Sequence, residues 1–227
     1  MSESLPNADL LRSLGRLVRG LSALFWGLPA TLIICFYTAQ ADAFRSFGIS
    51  PPLVVTGLLF YGLSLLGAFQ KQERVWRAAL DRARMLSLIN FGLSPFLYWW
   101  NRVPGHVFFI AMVLLFVGCS LLLLASVNVV LQRLSAMLPD EGLRLETKQF
   151  TTLNLNLLLA TFLAALFYAG LRQAQSIPRW LGVIAAIMDH FALWFLVILV
   201  LLPLAMTMAL LWKTKEVILE SIFSAKH

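Results

Sequence analysis

Long apolar runs, separated by short polar stretches, dominate the pattern of this sequence. Six of these runs are candidate transmembrane helices, and they cover residues 21–40, 53–69, 85–100, 107–131, 151–171 and 191–212. A helix rises about 1.5 Å per residue, so about 20 apolar residues cross a hydrocarbon core of about 30 Å. The pattern therefore predicts an all-α fold, a polytopic transmembrane helical bundle with six spans.

The segment 85–100 is the shortest of the six, and the topology depends on whether it crosses. Basic residues decide the question, because Lys and Arg accumulate in loops on the cytoplasmic side of a membrane. With six spans, 14 of the 18 Lys and Arg residues lie on one side, and a segment that turned back would reduce this split to 11 against 7. The basic residues then left outside are Arg45, Arg102, Arg172 and Arg179. We therefore expect six full spans, with both ends of the chain in the cytoplasm.

Polar, helix-favouring segments flank the apolar runs. Residues 1–20 predict an amphipathic helix on the membrane surface, because leucines and arginines recur on opposite helical faces. Residues 71–84 and 132–150 predict helical extensions into the cytoplasm, and residues 213–227 predict a cytoplasmic helical tail. We expect residues 21–212 to form one transmembrane domain.

Composition supports a lipid environment. The chain is 60% hydrophobic and 13% charged, with a mean hydropathy of +0.82, which leaves too little polar surface for a soluble globule of this size. We attribute the net charge of +7 to topology and to anionic lipid headgroups rather than to nucleic acid. The two cysteines, Cys35 and Cys119, lie in apolar runs and do not indicate a disulfide framework. The expected location is a bacterial-type inner membrane or another membrane that faces the cytoplasm.

Asp189 and His190 are neighbouring titratable residues near the outer boundary of the last apolar stretch. A carboxylate beside an imidazole can form a proton or cation relay, because histidine titrates near neutral pH. The alternative is that both residues mark the outer interface, since the uncharged run 191–212 is itself long enough to span. We favour the interface, and the relay stays open.

Four asparagines share one predicted depth in the cytoplasmic half of the membrane: Asn90, Asn128, Asn154 and Asn156. Together they could form a polar vestibule that binds a small solute or ion. They could instead form hydrogen bonds between helices, which is the commoner use of amide side chains in membranes. We favour hydrogen bonding.

Candidate catalytic chemistry is limited to one pair of residues. Gly118-Cys119-Ser120 is a G-x-S sequence on the fourth predicted span, and together with His190 it resembles the serine and histidine of rhomboid-type intramembrane proteases. This chain departs from that family at Leu121, where the family has glycine. The three histidines are dispersed, and no phosphate-binding or dinucleotide-binding motif is present in the sequence. We therefore expect no catalytic residues, no metal site and no cofactor.

The sequence favours a non-enzymatic accessory or scaffold subunit of a membrane complex. The segments 71–84 and 132–150 are the expected docking surfaces, and the expected partners are anionic lipids, other subunits or a second copy of the chain. The first alternative is a small-solute or ion transporter that uses the asparagines and Asp189 with His190. An intramembrane serine protease is the least favoured alternative.

Overall fold

The computed structural model describes residues 5–40, 47–69, 73–103, 105–137, 141–173 and 179–224. Side chains are described throughout these ranges except at residues 5–11, 143, 165, 168–173, 179–181, 183–198 and 221–224. The helices are α1 (Leu5–Gln40), α2 (Ser50–Leu66), α3 (Arg74–Leu93), α4 (Pro95–Arg102), α5 (Val107–Ala136), α6 (Glu141–Gln173) and α7 (Arg179–Ser224). Apart from a short helical turn at Phe47, no other regular element occurs in the described ranges, so the prediction of an all-α fold is confirmed.

The first helix is continuous from Leu5 to Gln40. Its buried leucines, Leu17, Leu21, Leu24 and Leu28, follow the spacing of one helical face. This face continues across residue 20 without a break, so the segment predicted to lie on the membrane surface and the first predicted span are parts of one helix.

The third predicted span, 85–100, coincides with the second half of α3 and most of α4. The two helices are separated at Ser94 because Pro95 has no N–H to continue the hydrogen-bond ladder, although it is accommodated at the first position of α4. At the end of α4, the side chain of Asn101 donates a hydrogen bond of 3.2 Å from Nδ2 to the carbonyl of Thr38 in α1. The broken segment therefore reaches the same end of the bundle as the end of α1.

Glycines bring α1 and α2 close together. A Cβ atom at Gly20 would lie 2.8 Å from the carbonyl oxygen of Gly62, and a Cβ atom at Gly62 would lie 3.2 Å from the carbonyl oxygen of Gly20. Small residues at a helix crossing permit such backbone approach. The spacing of α1 and α2 therefore depends on the absence of a side chain at these two positions.

The start of α3 is part of the main core. Trp76, Leu80 and Ala83 are buried in the same cluster as Leu17 of α1 and Leu134 of α5. The predicted extension 71–84 is therefore packed against the core through Trp76, Leu80 and Ala83 where it is described, from residue 73 onward, and most of its charged residues are exposed together with Val75. We call this end of the bundle, which carries Arg74, Arg84, Arg133 and Lys213, the basic end.

Within the described residues, two helices are long and apolar enough to cross a bilayer: α1 over Arg12–Gln40, and α5 over Val107–Ala136. The helix α2 is apolar but shorter. Only 17% of the most apolar window of α5 is buried inside the bundle, whereas a core helix of a soluble protein is mostly covered by its neighbours. The exposed apolar surface of α5 suits contact with lipid or with another membrane helix.

Candidate functional site

A buried polar cluster joins α5, α6 and α7. The Nδ2 atom of Asn128 donates to Thr207 Oγ1 at 2.9 Å, and the Nδ2 atom of Asn154 donates to the same oxygen at 3.0 Å. Thr207 Oγ1 in turn donates to the carbonyl of Pro203 at 2.8 Å. A hydroxyl group has one donor and two acceptor positions, and here all three are used. Thr207 therefore connects α7 to Asn128 on α5 and to Asn154 on α6.

The same region compensates for a proline inside α7. Pro203 has no N–H, so the carbonyl of Leu199, four residues earlier, has no partner within the helix. Thr161 Oγ1 of α6 lies 3.2 Å from that carbonyl and 2.8 Å from the carbonyl of Leu157 in its own helix, so its single proton is shared between the two. Asn154 donates a hydrogen bond of 3.2 Å to the carbonyl of Pro203. The polar side chains of α6 thus satisfy the backbone of α7 where the proline perturbs it.

Two oxygen atoms of this cluster have no hydrogen-bond partner among the described residues. They are Asn128 Oδ1 and Asn154 Oδ1, and both residues are completely buried. The Nδ2 atoms fix the orientation of both side-chain amides. Asn128 Nδ2 also donates to the carbonyl of Leu124 at 2.8 Å, and Asn154 Nδ2 donates to the carbonyl of Pro203. In the described part of the chain, these two buried acceptors are available to a donor or a cation.

A second polar cluster lies between α2, α3 and α5. Ser120 Oγ donates to Asn90 Oδ1 at 3.4 Å. Thr56 Oγ1 lies 3.4 Å from Ser94 Oγ, while these two hydroxyls donate their protons to the carbonyls of Pro52 and Phe91. Asn90 is buried, with Nδ2 unpaired among the described residues. These contacts again join neighbouring helices at positions that face inward.

The four asparagines predicted to share a layer are divided by the fold. Asn128 and Asn154 belong to the α5/α6/α7 cluster, Asn90 belongs to the α2/α3/α5 cluster, and Asn156 is exposed. The three buried residues take part in hydrogen bonds between helices.

The remaining sequence candidates have different outcomes. Ser120 is hydrogen-bonded to the amide oxygen of Asn90, which is not a base that activates a hydroxyl. The side chains of Asp189 and His190 lie outside the described residues, so their relation to Ser120 and to the interface stays a prediction. In the described part of the chain, no group of three or more His, Cys, Asp or Glu residues is placed to hold a metal ion.

Arg84 at the basic end caps α2. Its Nε atom donates to the carbonyl of Leu63 at 3.2 Å, and one terminal nitrogen donates to the carbonyl of Ser64 at 3.0 Å. The other terminal nitrogen lies 3.4 Å from Asp81 Oδ1. The last carbonyls of a helix have no partner within it and carry partial negative charge, so a guanidinium group is a favourable cap.

A groove of about 570 Å³ lies between α3 and α5 at the basic end. Its floor consists of alanine, serine and aliphatic residues, and three arginines line it: Arg74, Arg82 and Arg133. Sequence analysis did not find this groove. The pattern of small and basic residues on α3 was visible, but the antiparallel partner on α5 that supplies Arg133 is fixed only by the fold.

Comparison of this chain with protein-family models, with curated proteins and with solved structures finds no match. The two polar clusters, the capping arginine and the basic groove are therefore the observations on which a function can be argued.

Proposed function

We propose that this chain is an integral membrane protein that crosses the bilayer six times, with both ends in the cytoplasm, and that it acts as a non-enzymatic accessory or scaffold subunit. The observation that carries the topology is the hydrogen bond between Asn101 and Thr38. It supports a third crossing because the other end of the α3–α4 segment, at Trp76 and Leu80, packs in the same core as Leu17.

The distance along α1 favours a full crossing. Leu17 and Thr38 are 21 positions apart in one helix, which is about 32 Å at about 1.5 Å per residue. A hydrocarbon core is about 30 Å thick. The α3–α4 segment runs between the same two ends of the bundle, with α3 packed against α2 and α5 and α4 packed against α1, and it is therefore long enough to cross with α1.

The use of the buried polar side chains favours an assembly role. Thr207, Asn128 and Asn154 bond one another and the backbone around Pro203. Such contacts hold helices in register and are typical of structural packing in membranes. An exposed charged surface lies at the basic end, which in the proposed orientation faces the cytoplasm.

Two docking surfaces are proposed, the charged face of α3 and the end of α7. Arg77 and Asp81 on α3 and Glu216 on α7 are exposed, whereas Trp76, Leu80 and Ala83 of α3 are already covered by the core. A partner would therefore meet mixed charges, which favour specificity of pairing more than affinity.

Photocrosslinking in cells tests the accessory role. A photoreactive amino acid at Arg77 or Glu216 should give one discrete adduct with another subunit or a second copy, while the same residue at Trp26, which is 69% exposed on α1, should give lipid adducts only. A chain that gives no protein adduct from either position at the basic end, and that purifies as a monomer in mild detergent, would contradict the accessory role.

Transport of a small cation is the second candidate, and the unpaired oxygens of Asn128 and Asn154 favour it. Amide oxygens can replace part of the hydration shell of an ion. Flux into liposomes should then fall when Asn154 is replaced by Leu or Asp189 by Asn, but not when the exposed Asn156 is replaced by Leu. Equal flux in all variants would remove this candidate.

A further inference from the structure

The groove between α3 and α5 combines a basic opening with an apolar interior. Arg74 and Arg133 lie at one end, and Leu86 and Leu122 lie at the other. Arg74 and Leu86 are 12 positions apart on α3, which is about 18 Å along the helix. Arg82 lies between these ends, 8 of the 12 positions along α3 from Arg74 to Leu86, so basic residues line most of the groove and its last part is aliphatic.

Small residues form the space between these ends. Ala78 and Ala79 on α3 and Ala125 and Ser126 on α5 line the groove, and side chains of this size leave an open groove between two helices that otherwise pack together. A volume of about 570 Å³ lies within the range of about 300–1,000 Å³ that is usual for sites of small molecules. The interior is suited to a flexible chain rather than to a protein side chain of fixed shape.

The arginines of the groove are not neutralised by the described residues. Arg74, Arg82 and Arg133 form no ion pair or hydrogen bond within that part of the chain, whereas the neighbouring Arg84 binds Asp81 and two carbonyls. No acidic residue is among the described residues that line the groove. Three cations beside one apolar channel form a site of a single sign of charge, which attracts an anion.

We propose that this groove binds one anionic phospholipid, with its phosphate on Arg74, Arg82 and Arg133 and an acyl chain along Ala78 and Ala125 toward Leu86. The proposal rests on the proposed membrane embedding, which places the basic end at the cytoplasmic leaflet, where anionic lipids are enriched. A soluble phosphate would satisfy the arginines but would leave the apolar interior unfilled, so the groove selects the lipid.

Native mass spectrometry of the full-length, delipidated protein tests this site. Titration with dioleoylphosphatidylglycerol should give one retained lipid, at a concentration at least about tenfold lower than titration with dioleoylphosphatidylcholine. Glycerol 3-phosphate, the soluble headgroup analogue, should not be retained. Equal retention of the two lipids by the wild-type protein would overturn the proposal.

Matched variants separate the groove from general charge attraction. Replacing Arg74, Arg82 and Arg133 together with Gln should abolish the preference for the anionic lipid. The control replaces three other exposed arginines, Arg12, Arg16 and Arg144, and should keep it. An equal loss in both triple variants would assign the preference to net charge and overturn the site.

The apolar interior is tested without a change in charge. Ala78→Phe should fill the channel and reduce lipid retention, while Ala136→Phe, on an exposed residue that does not line the groove, should not. Both variants should give the wild-type elution volume in size exclusion, which shows that they fold. Unchanged lipid retention in a folded Ala78→Phe variant would contradict the proposed position of the acyl chain.

Two further outcomes assign a failure to its source. A chain that alkaline carbonate releases from membranes would contradict the proposed membrane embedding, whereas an embedded chain without a lipid preference would contradict only the lipid site. A third outcome would also overturn the proposal. If the wild-type chain copurifies with a stoichiometric protein partner, and the Arg74/Arg82/Arg133 variant loses this partner but still retains the lipid, then the groove binds a protein.

Discussion

Asn154 of α6 donates a hydrogen bond of 3.0 Å to the hydroxyl of Thr207 on α7. The same hydroxyl accepts a hydrogen bond from Asn128 of α5, so one oxygen atom holds three helices. The carbonyl of Pro203, which accepts from both Thr207 and Asn154, completes the arrangement. The central part of the bundle is therefore fastened by a small polar cluster rather than by apolar packing alone.

Replacing Thr207 with Val should destabilise the bundle while preserving its shape. The substitution removes the acceptor of both asparagine amides and leaves buried N–H groups with fewer partners, at a cost of about 1–2 kcal/mol. The free energy of unfolding in detergent, measured by denaturant titration, should fall by this amount.

The control for this change is Thr152→Val. Thr152 is exposed, and among the described residues its hydroxyl bonds only the carbonyl of Lys148 in its own helix. The free energy of unfolding of the Thr152→Val variant should therefore stay within about 0.5 kcal/mol of the wild-type value. If both variants have the same stability, the cluster does not fasten the helices.

The close contact of α1 and α2 predicts an effect at Gly20. Gly20→Ala places a methyl group 2.8 Å from the backbone oxygen of Gly62, and the two helices must separate to accommodate it. We expect a loss of about 1–3 kcal/mol in the free energy of unfolding, visible as a lower melting temperature.

Gly118 provides the comparison for Gly20. A Cβ atom at Gly118 meets nothing within 4 Å, so Gly118→Ala should be neutral or stabilising by up to about 1 kcal/mol, because alanine favours helices more than glycine does. A Gly20→Ala variant as stable as the Gly118→Ala variant would contradict the close approach of α1 and α2.

The cap that Arg84 forms on α2 should depend on arginine and not merely on positive charge. Lys cannot donate in parallel to the carbonyls of Leu63 and Ser64 as the planar guanidinium does, so Arg84→Lys should lower stability by about 0.5–1.5 kcal/mol. Arg77→Lys, on the exposed face of the same helix, should have no effect. Melting temperatures of the two variants in the same detergent check this, and equal values would contradict the cap.

Sequence periodicity predicted the helical class and the position of most apolar helices, because the apolar runs are long and their boundaries are marked by charge. It did not predict that α1 is continuous, although Leu17 and Leu21 already shared a face. It also treated 85–100 as one uninterrupted span, whereas the structure divides this segment at Ser94, before Pro95.

The candidate sites were predicted less well, for a physical reason. Depth along a span can be counted from the sequence, so the asparagines were recognised as a group. Rotation around each helix axis depends on packing, and it places Asn90 in one cluster, Asn128 and Asn154 in another, and Asn156 on the surface. The groove required the same information, since Arg133 and Arg74 come from helices far apart in the chain.

The crossing of α3 and α4 is the central claim, and cysteine labelling in intact cells tests it most directly. Single cysteines at Glu73 and Val103, the exposed residues at the two ends of this segment, are introduced into a chain in which Cys35 and Cys119 are replaced by Ala. We predict that a membrane-impermeant maleimide labels position 103 from outside, and labels position 73 only after the membrane is permeabilised. Labelling of both positions from the same side would contradict the six-span bundle.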